Sequence, residues 1–129
     1  MLRISVPSAL RIMLGLLAFA AVPFLLSAPA VQETTIVRIP VTGTIELGLA
    51  PFIARSLREA EELGASAVIL DIDTPGGRID AAWEIIDDIR DSEVPVYAYV
   101  NRRALSAGAM IALAAERLYM RPGSTIGAA

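Results

Sequence analysis

The chain alternates short runs of β-branched and aliphatic residues with longer segments in which apolar residues recur every three or four positions. The runs are typical of buried strands, and the segments are typical of amphipathic helices. Strands are predicted at 34–41, 67–72, 95–100 and 117–120, and helices at 49–63, 79–90 and 106–115. The order β-α-β-α-β-α-β predicts a layered α/β fold with a mainly parallel sheet and right-handed crossovers.

Each of the first two helices is expected to bury one apolar stripe. In the first helix the stripe comprises Phe52, Ile53, Leu57, Ala60 and Leu63, and Gly64 ends the helix. In the second it comprises Ala82, Ile85, Ile86 and Ile89, with Trp83 also assigned to the core. Pro40 predicts that the first strand lies at an edge of the sheet. Because no terminal helix or polar tail closes the sheet, we expect the sequence to stop within its domain.

Residues 1–30 have the composition of an export signal. Two arginines precede an almost wholly apolar run from Ile12 to Leu26, and small residues with alternate alanines follow the run. This order predicts a secretory signal peptide. An uncleaved membrane anchor is the alternative, although the run is shorter than the about 20 residues of a spanning helix and two prolines interrupt its end. In either case, residues 31–129 are expected to face the outer side of the membrane.

The composition excludes several kinds of chemistry. The 129 residues include 14 Asp+Glu and 11 Lys+Arg, all of the latter arginine, with no His and no Cys. Without Cys there is no disulfide or thiolate nucleophile, and without His these residues alone cannot form a Ser-His-Asp triad. Without Lys they cannot form a Ser-Lys dyad either. The formal net charge of -3 argues against nucleic-acid binding, and neither a metal nor a cofactor is predicted.

Two loops follow consecutive predicted strands, which is where open α/β sheets build their sites. The first is D-T-P-G-G (73–77), whose glycines let the backbone approach a ligand closely. The second is S-A-G (106–108), which places a hydroxyl at the first turn of a helix, where free N–H groups favour an anion. Together they predict acyl transfer, in which Ser106 attacks a carbonyl and the amides of Gly77 and Ala107 hold the oxyanion.

Structural interpretations of the same residues stay open. The P-G-G sequence is a common loop, and a serine in the position of Ser106 is often only a helix N-cap. Asp71 and Asp73 share a face of their strand and are interpreted as loop caps rather than as an acid/base pair. Arg78 is a candidate for steering an anionic group or chain end, and Arg102-Arg103 for binding a partner, with solvated arginines as the default for both. A phosphate-binding nest at the two glycines is a further alternative, without a P-loop motif or a lysine to support it.

Three runs of the sequence carry a family resemblance. They are A-V-I-L-D-I-D-T-P-G-G-R-I-D-A-A (67–82), P-V-Y-A-Y-V-N-R-R-A-L-S-A-G-A-M-I-A-L-A-A (95–115) and Y-M-R-P-G-S-T-I-G-A-A (119–129). In combination they resemble the NfeD (nodulation-efficiency D) family of membrane-bound serine proteases. The protease domain of that family is similar to the Clp protease subunit, within the wider Clp/crotonase fold. The resemblance covers nearly all of residues 34–129.

The resemblance implies that residues 31–129 are the N-terminal part of a ClpP-like serine protease domain. It implies that Ser106 is the nucleophile and that the amides of Gly77 and Ala107 form the oxyanion hole. It further implies a membrane-associated, extracytoplasmic enzyme that forms homo-oligomers, and a stomatin-like membrane protein as a partner or substrate. No nucleic-acid partner is implied.

The substrate is expected to be an extended apolar peptide that adds as a strand beside the glycine loop, in contact with Gly76 and Arg78. One departure from the family matters, because its general base is a lysine downstream of the G-S-T-I-G-A segment, and these residues contain no lysine. The chain is therefore expected to lack meaningful peptidase activity on its own. A catalytically inactive scaffold at the membrane and a crotonase-like acyl-thioester enzyme are the alternative functions.

Overall fold

The computed structural model describes residues 34–128, which contain five strands and three helices. In chain order these are β1 (Ile36–Thr42), α1 (Leu49–Glu62), β2 (Ala67–Thr74), α2 (Ile79–Asp91), β3 (Val96–Leu105), α3 (Ala107–Ala114), β4 (Arg117–Met120) and β5 (Thr125–Gly127). The strands pair in parallel in the order β1-β2-β3-β4, and β5 also pairs with β3. The predicted α/β fold with a mainly parallel sheet is confirmed, and β1 is the edge strand that Pro40 indicated.

Residues 1–30, interpreted from sequence as an export signal or membrane anchor, lie outside the described residues. Within 34–128, no helix combines the length and the apolar character needed to cross a membrane.

The core lies between the sheet and the three helices. Consecutive parallel strands that neighbour each other in chain order place their crossover helices on the same face. The strand side chains that point towards this face are fully or almost fully buried, and they include Ile39, Leu70, Ile72, Ala98 and Val100. On α2 the predicted stripe of Ala82, Ile85, Ile86 and Ile89 is buried against them. A slip of one residue in any strand would turn its apolar set to the other face, so this core fixes the register of the sheet.

The opposite face of the sheet is polar and aromatic. A concave surface of about 660 Å³ there is lined by Arg38, Asp71, Tyr97, Tyr99 and Tyr119, among others. The rings of Tyr97 and Tyr119 meet edge to face with their centroids 6.4 Å apart. This face therefore contributes ion pairs and aromatic contacts rather than a second hydrophobic layer.

Three apolar residues assigned to the core lie at the surface instead. Phe52 is 36% exposed, Trp83 is 50% exposed and Leu63 is 61% exposed. Phe52 and Trp83 each stand one position away from a buried residue, and one position turns a helical side chain by about 100°, out of the apolar stripe. Leu63 follows the last residue of α1, where the chain already leaves the helix.

The third strand is longer than predicted. Residues 101–103, interpreted as a solvated turn, belong to β3. This end of β3 pairs with strands on both sides. Ala104 pairs with Thr74 of β2, and Arg103 pairs with Thr125 of β5. The register shifts between Ile72, which pairs with Val100, and Thr74, which pairs with Ala104, so residues 101–103 of β3 lie opposite a single residue of β2. No strand was predicted after β4, but β5 extends the sheet; with only three residues, it is too short for a periodic signal.

Candidate active site

The two predicted loops meet at the carboxyl edge of the sheet. Gly76 and Gly77 follow β2, and Ser106 lies directly between β3 and α3. A side-chain carbon placed on Gly76 would lie 2.8 Å from the Cβ of Ser106 and 2.7 Å from the carbonyl oxygen of Leu105. Gly76 also has a φ of +99°, which L side chains rarely adopt. Glycine is therefore required at this position for the first loop to reach the serine.

The backbone of Ser106 adopts a conformation that non-glycine residues seldom occupy. Its φ is 51° and its ψ is -123°, at a sharp turn from β3 into α3. Such strained residues cost about 1–3 kcal/mol and cluster at functional sites. The amide of Ser106 donates a hydrogen bond of 2.8 Å to the carbonyl of Gly127, and its carbonyl accepts from Ala109 at 2.8 Å. The backbone of this residue is thus held from both sides.

The hydroxyl of Ser106 is not used as a helix cap. Ser106 occupies the N-cap position of α3, but its side chain makes no capping hydrogen bond. Asn, Asp, Ser and Thr at that position normally accept such a bond from an amide in the first turn. The alternative interpretation of Ser106 as only an N-cap therefore loses its physical basis, and the hydroxyl is left available for chemistry.

Gly77 pairs with Ile45, in the segment before α1, along one side of its backbone only. The amide of Ile45 donates to Gly76 O at 3.0 Å, and the amide of Arg78 donates to Ile45 O at 2.9 Å. Because successive amides of an extended chain point to opposite edges, the Gly77 amide points away from Ile45. It donates to no acceptor within residues 34–128. A side-chain carbon on Gly77 would lie 2.3 Å from Ile45 O, so this contact also requires glycine.

The second predicted oxyanion donor lies at the start of α3. The amide of Ala107 is the first of that helix and finds no acceptor among the described residues. A side-chain carbon on Gly76 would lie 3.5 Å from Ala107 N, so the glycine loop and this amide face each other closely. A helix N-terminus carries a partial positive charge, which adds to the attraction of its free amides for an anion.

Arg78 is turned towards the first turn of α2. Its guanidinium forms an exposed ion pair with Asp80, with 2.9 Å between Nε and Oδ1. The hydrogen bond from Arg78 lowers the pKa of the Asp80 carboxyl. Beside this pair, an open cleft of about 560 Å³ is lined by Thr44, Glu46, Leu47 and Gly77, among others. Because Gly77 is one of its lining residues, the cleft begins at the glycine loop.

The two aspartates of β2 face arginines of neighbouring strands, and within the described part of the chain neither accepts a hydrogen bond from a loop amide as a loop cap would. Asp71 is buried and accepts a hydrogen bond of 2.7 Å from Nε of Arg38 on β1. Asp73 Oδ1 lies 3.3 Å from Nε of Arg103 on β3, at an angle too poor for a hydrogen bond. Arg103 is therefore a partner of β2 rather than a free surface charge. Across residues 34–128, no group of three acidic, His or Cys side chains is placed to hold a metal.

Sequence reasoning missed three residues that hold the site together. They are Ile45, which pairs with the glycine loop, Gly127, which accepts the amide of Ser106, and Thr74, whose side chain contacts both loops. Only Thr74 had a signal in the sequence, since it stands at the end of a buried strand directly before the loop. The other two come from distant segments whose approach depends on the tertiary fold.

The parallel sheet and its helices have the fold of ClpP-like protease domains, since ClpP1 from Listeria monocytogenes superposes with a TM-score of 0.59 at 28% identity, covering 61% of this chain and 46% of that one. The model of the NfeD1b N-terminal domain matches residues 35–129, and the chain belongs to the NfeD family. Over 117 residues it is 49% identical to the membrane protein NfeD1b of Bacillus subtilis, covering 91% of this chain and 26% of that protein. Over 106 residues it is 36% identical to the membrane-bound protease PH1510 of Pyrococcus horikoshii, covering 80% of this chain and 24% of that protein.

Solved structures give the same result. The 1510-N membrane protease from Pyrococcus horikoshii, specific for a stomatin homolog, superposes with a TM-score of 0.70 at 36% identity, covering 74% of this chain and 50% of that one. A lysine-to-alanine mutant of the 1510-N protease, in complex with a substrate peptide, superposes with a TM-score of 0.71 at 35% identity, covering 74% and 45%. One curated relative is thus named a membrane protein and the other a membrane-bound protease, and the chain spans about a quarter of the length of each.

Proposed function

We propose that this chain supplies the nucleophile and the oxyanion hole of a Ser-Lys endopeptidase that cleaves apolar peptide segments at a membrane. Ser106 is the nucleophile, the amides of Gly77 and Ala107 hold the oxyanion, and Gly76 and Arg78 contact the substrate. The observation that carries the proposal is the strained turn at Ser106, whose side chain makes no capping hydrogen bond and whose Cβ lies beside the Gly76 backbone.

The reaction follows from these groups. The Oγ of Ser106 attacks the peptide carbonyl carbon, its proton passes to a base, and the carbonyl oxygen becomes an oxyanion between the two free amides. Collapse of this intermediate expels the amine, which takes the proton, and water then hydrolyses the acyl-serine. Preorganised amides stabilise the developing charge without reorganising during the reaction, and losing one donor typically lowers the rate by about 10²–10³.

The base is proposed to be a lysine from outside residues 1–129. No Lys or His occurs in these residues, so no side chain here fits the role of a neutral base beside the serine. Mutants of the 1510-N protease in which a serine or a lysine is changed to alanine have been crystallised, which supports a Ser-Lys pair in the family. By itself, the chain is therefore proposed to bind peptides without cleaving them.

An apolar substrate fits the surface beside the glycine loop. The edge of Gly77 that faces away from Ile45 keeps its amide and carbonyl free, and an extended peptide can pair with them as an added strand. Leu47 lines the open cleft together with Gly77, and its side chain is 53% exposed. It offers apolar contact beside the glycine loop.

The membrane setting is inferred from the relatives. Both curated relatives are membrane proteins by name, and the 1510-N protease is named as specific for a stomatin homolog. We propose that residues 31–129 act on the outer side of the membrane, that a stomatin-like protein is a substrate or partner, and that the protein forms homo-oligomers. These proposals are carried from the family and not from a contact of this chain.

The test needs a form of the protein that contains a base. Residues 1–129 are joined to the part of the Pyrococcus horikoshii protease PH1510 that follows its aligned segment; this fusion is called the extended chain. We expect the extended chain to cleave a fluorogenic apolar peptide and residues 1–129 alone to leave it intact. Ser106→Ala in the extended chain should abolish cleavage, with Ser56→Ala on the exposed side of α1 as the control. Equal cleavage by the Ser106→Ala variant would place the nucleophile elsewhere.

A catalytically inactive binding module is the second candidate. The absence of both Lys and His from residues 1–129 favours it. If the extended chain binds the apolar peptide but never cleaves it, at any pH between 6 and 9 in which it stays folded, this second function replaces the first.

A further inference from the structure

Thr74 joins the two loops of the candidate site through opposite ends of one side chain. It is the last residue of β2 and is fully buried. Its hydroxyl donates a hydrogen bond of 2.6 Å to the carbonyl of Gly43 and accepts one of 3.0 Å from the amide of Gly76. Its methyl group faces α3, where a side-chain carbon placed on Gly108 would lie only 2.3 Å from Thr74 Cγ2.

The hydroxyl determines which amide of the glycine loop is free. A hydroxyl has one proton, and that proton is committed to Gly43. The oxygen then accepts the amide of Gly76, which leaves the amide of Gly77 as the loop donor without an acceptor in residues 34–128. The amide of Ile45 holds the peptide plane between Gly76 and Gly77 through Gly76 O, and the bond to Thr74 holds the plane before it. Without the Thr74 bond, the backbone of Gly76 could rotate and carry the Gly77 amide to another position, because glycine resists such rotation least.

The methyl group determines how closely α3 approaches β2. It occupies the space that a side chain at Gly108 would need, so helix and strand are separated by one methyl group at this point. Ser106 and Ala107 stand at the start of the same helix. Any shift of α3 away from β2 therefore moves the nucleophile and the second oxyanion donor together.

We propose that Thr74 is a positioning residue that sets the distance between the two oxyanion donors, the amides of Gly77 and Ala107. Its hydroxyl holds the backbone of Gly76, which carries the first amide, and its methyl group sets the approach of α3, which carries the second. The inference rests on the proposed peptidase function, but the contacts themselves are testable in residues 1–129 without any activity.

Two substitutions separate the two ends of the side chain. Thr74→Val keeps the shape and removes the hydroxyl, whereas Thr74→Ser keeps the hydroxyl and removes the methyl group. Thr35→Val, at an exposed position before β1, is the matched control for the first change. In the full 129-residue chain, Thr74→Val should accelerate hydrogen exchange of the Gly76 amide at least about tenfold, since its only acceptor is lost. Thr74→Ser should leave that exchange unchanged.

The kinetic test uses the extended chain. Thr74→Val should lower kcat about 10- to 100-fold with KM within about threefold, because misplacing a reacting group by about 1 Å costs up to 10²-fold in rate. A kcat within about threefold of the unchanged protein, with the Gly76 amide exchanging freely, would overturn the role of the hydroxyl. Thr35→Val should change neither value.

The role of the methyl group is tested by adding a methyl group at position 108 and removing the one at position 74. Gly108→Ala alone should lower kcat about 100-fold, because its new carbon overlaps Thr74 Cγ2 and pushes α3 outwards. In the Thr74→Ser background the next nearest atom is Thr74 Cβ at 3.7 Å, an ordinary contact, so the double variant should recover to within about threefold. Equal loss of kcat from Gly108→Ala in both backgrounds would overturn the proposal. If Thr74→Val does not fold, the comparison of Gly108→Ala with the Gly108→Ala/Thr74→Ser double variant still tests the proposed role of Thr74.

Failure of the proposed function gives a different result. If Ser106→Ala keeps full activity in the extended chain, Ser106 is not the nucleophile and Thr74 has no donors to position. In that case two measurements still report whether Thr74 joins the two loops. They are the hydrogen exchange of the Gly76 amide and the thermal stability of Gly108→Ala with and without Thr74→Ser.

Discussion

Arg38 donates hydrogen bonds from two guanidinium nitrogens to one carboxylate oxygen of Asp71, across the β1–β2 ladder. The exposure of the two side chains is very unequal, at 70% for Arg38 and 7% for Asp71. The arginine therefore keeps most of its hydration, whereas the carboxylate depends on it for partners. The two residues lie on the face of the sheet away from the helices, in the concave surface lined by tyrosines.

Arg38→Ala should destabilise the protein more than an ordinary surface substitution does. It leaves a buried acceptor unsatisfied, which costs about 1–3 kcal/mol and more for a charged group. Arg55→Ala, an exposed arginine on α1, is the control and should change the free energy of unfolding by less than about 0.5 kcal/mol. Urea unfolding of both variants measures the difference. Equal stabilities of the two would mean that the Asp71 carboxylate is hydrated without Arg38.

Gly76→Ala should be far more damaging than Gly123→Ala, although both glycines have positive φ values of +99° and +82°. A carbon on Gly123 meets nothing within 4 Å, so this variant isolates the backbone strain, about 1–2 kcal/mol. A carbon on Gly76 also meets Leu105 O at 2.7 Å, which adds an overpacking cost of about 1–3 kcal/mol. Unfolding in urea gives both values, and a Gly76→Ala variant as stable as Gly123→Ala would show that the two loops are not in contact.

The parallel sheet and its helices were predictable because local signals agree with the tertiary fold. The run Ala67–Thr74 is apolar on both faces for most of its length, as a central parallel strand requires, and Ile85 and Ile89 repeat with the helical period. The positions of the two site loops followed from the same topology, because parallel strands end at one edge.

What sequence could not give were the contacts between distant segments. Arg103 resembled a turn residue because its strand partner is Thr125 of β5, and its neighbour Ala104 pairs with Thr74, both 20 or more positions away along the chain. Trp83 is a different case, because the helical period already places it outside the stripe of Ala82 and Ile86, and it was assigned to the core for its size. Residue size alone carries no information about the direction of a helical side chain.

Ile85→Ala should therefore destabilise the protein more than Trp83→Ala, although tryptophan has the larger side chain. Ile85 is fully buried, and removing a buried isoleucine to alanine costs about 2–5 kcal/mol because it leaves a cavity. Trp83 is half exposed, and its removal should cost less than about 1.5 kcal/mol, since only part of its surface leaves water on folding. Thermal or urea unfolding of the two variants tests the ranking. A larger loss at Trp83 would indicate that another surface covers this side chain.

Asp88 should make the protein less stable as the pH rises. Burial raises the pKa of the Asp88 carboxyl above its ordinary value of 3.8, and nearby Asp91, Glu84 and Asp87 add to the shift while Arg58 opposes it. Between the ordinary and the raised value, the folded state holds a proton that the unfolded state has lost, so stability falls as the pH rises through this window.

Asp88→Asn removes that proton linkage. It should raise the free energy of unfolding near neutral pH by a few tenths of a kcal/mol, because the side chain is only partly buried and solvent screens the effect. It should also flatten the change in stability between pH 4 and pH 7. Glu62→Gln, an exposed residue at the end of α1, removes the same charge elsewhere and is the control. Chemical unfolding of the three proteins at several pH values measures the slopes. A steeper loss of stability with rising pH in Asp88→Asn than in the unchanged protein would contradict the sign of this linkage.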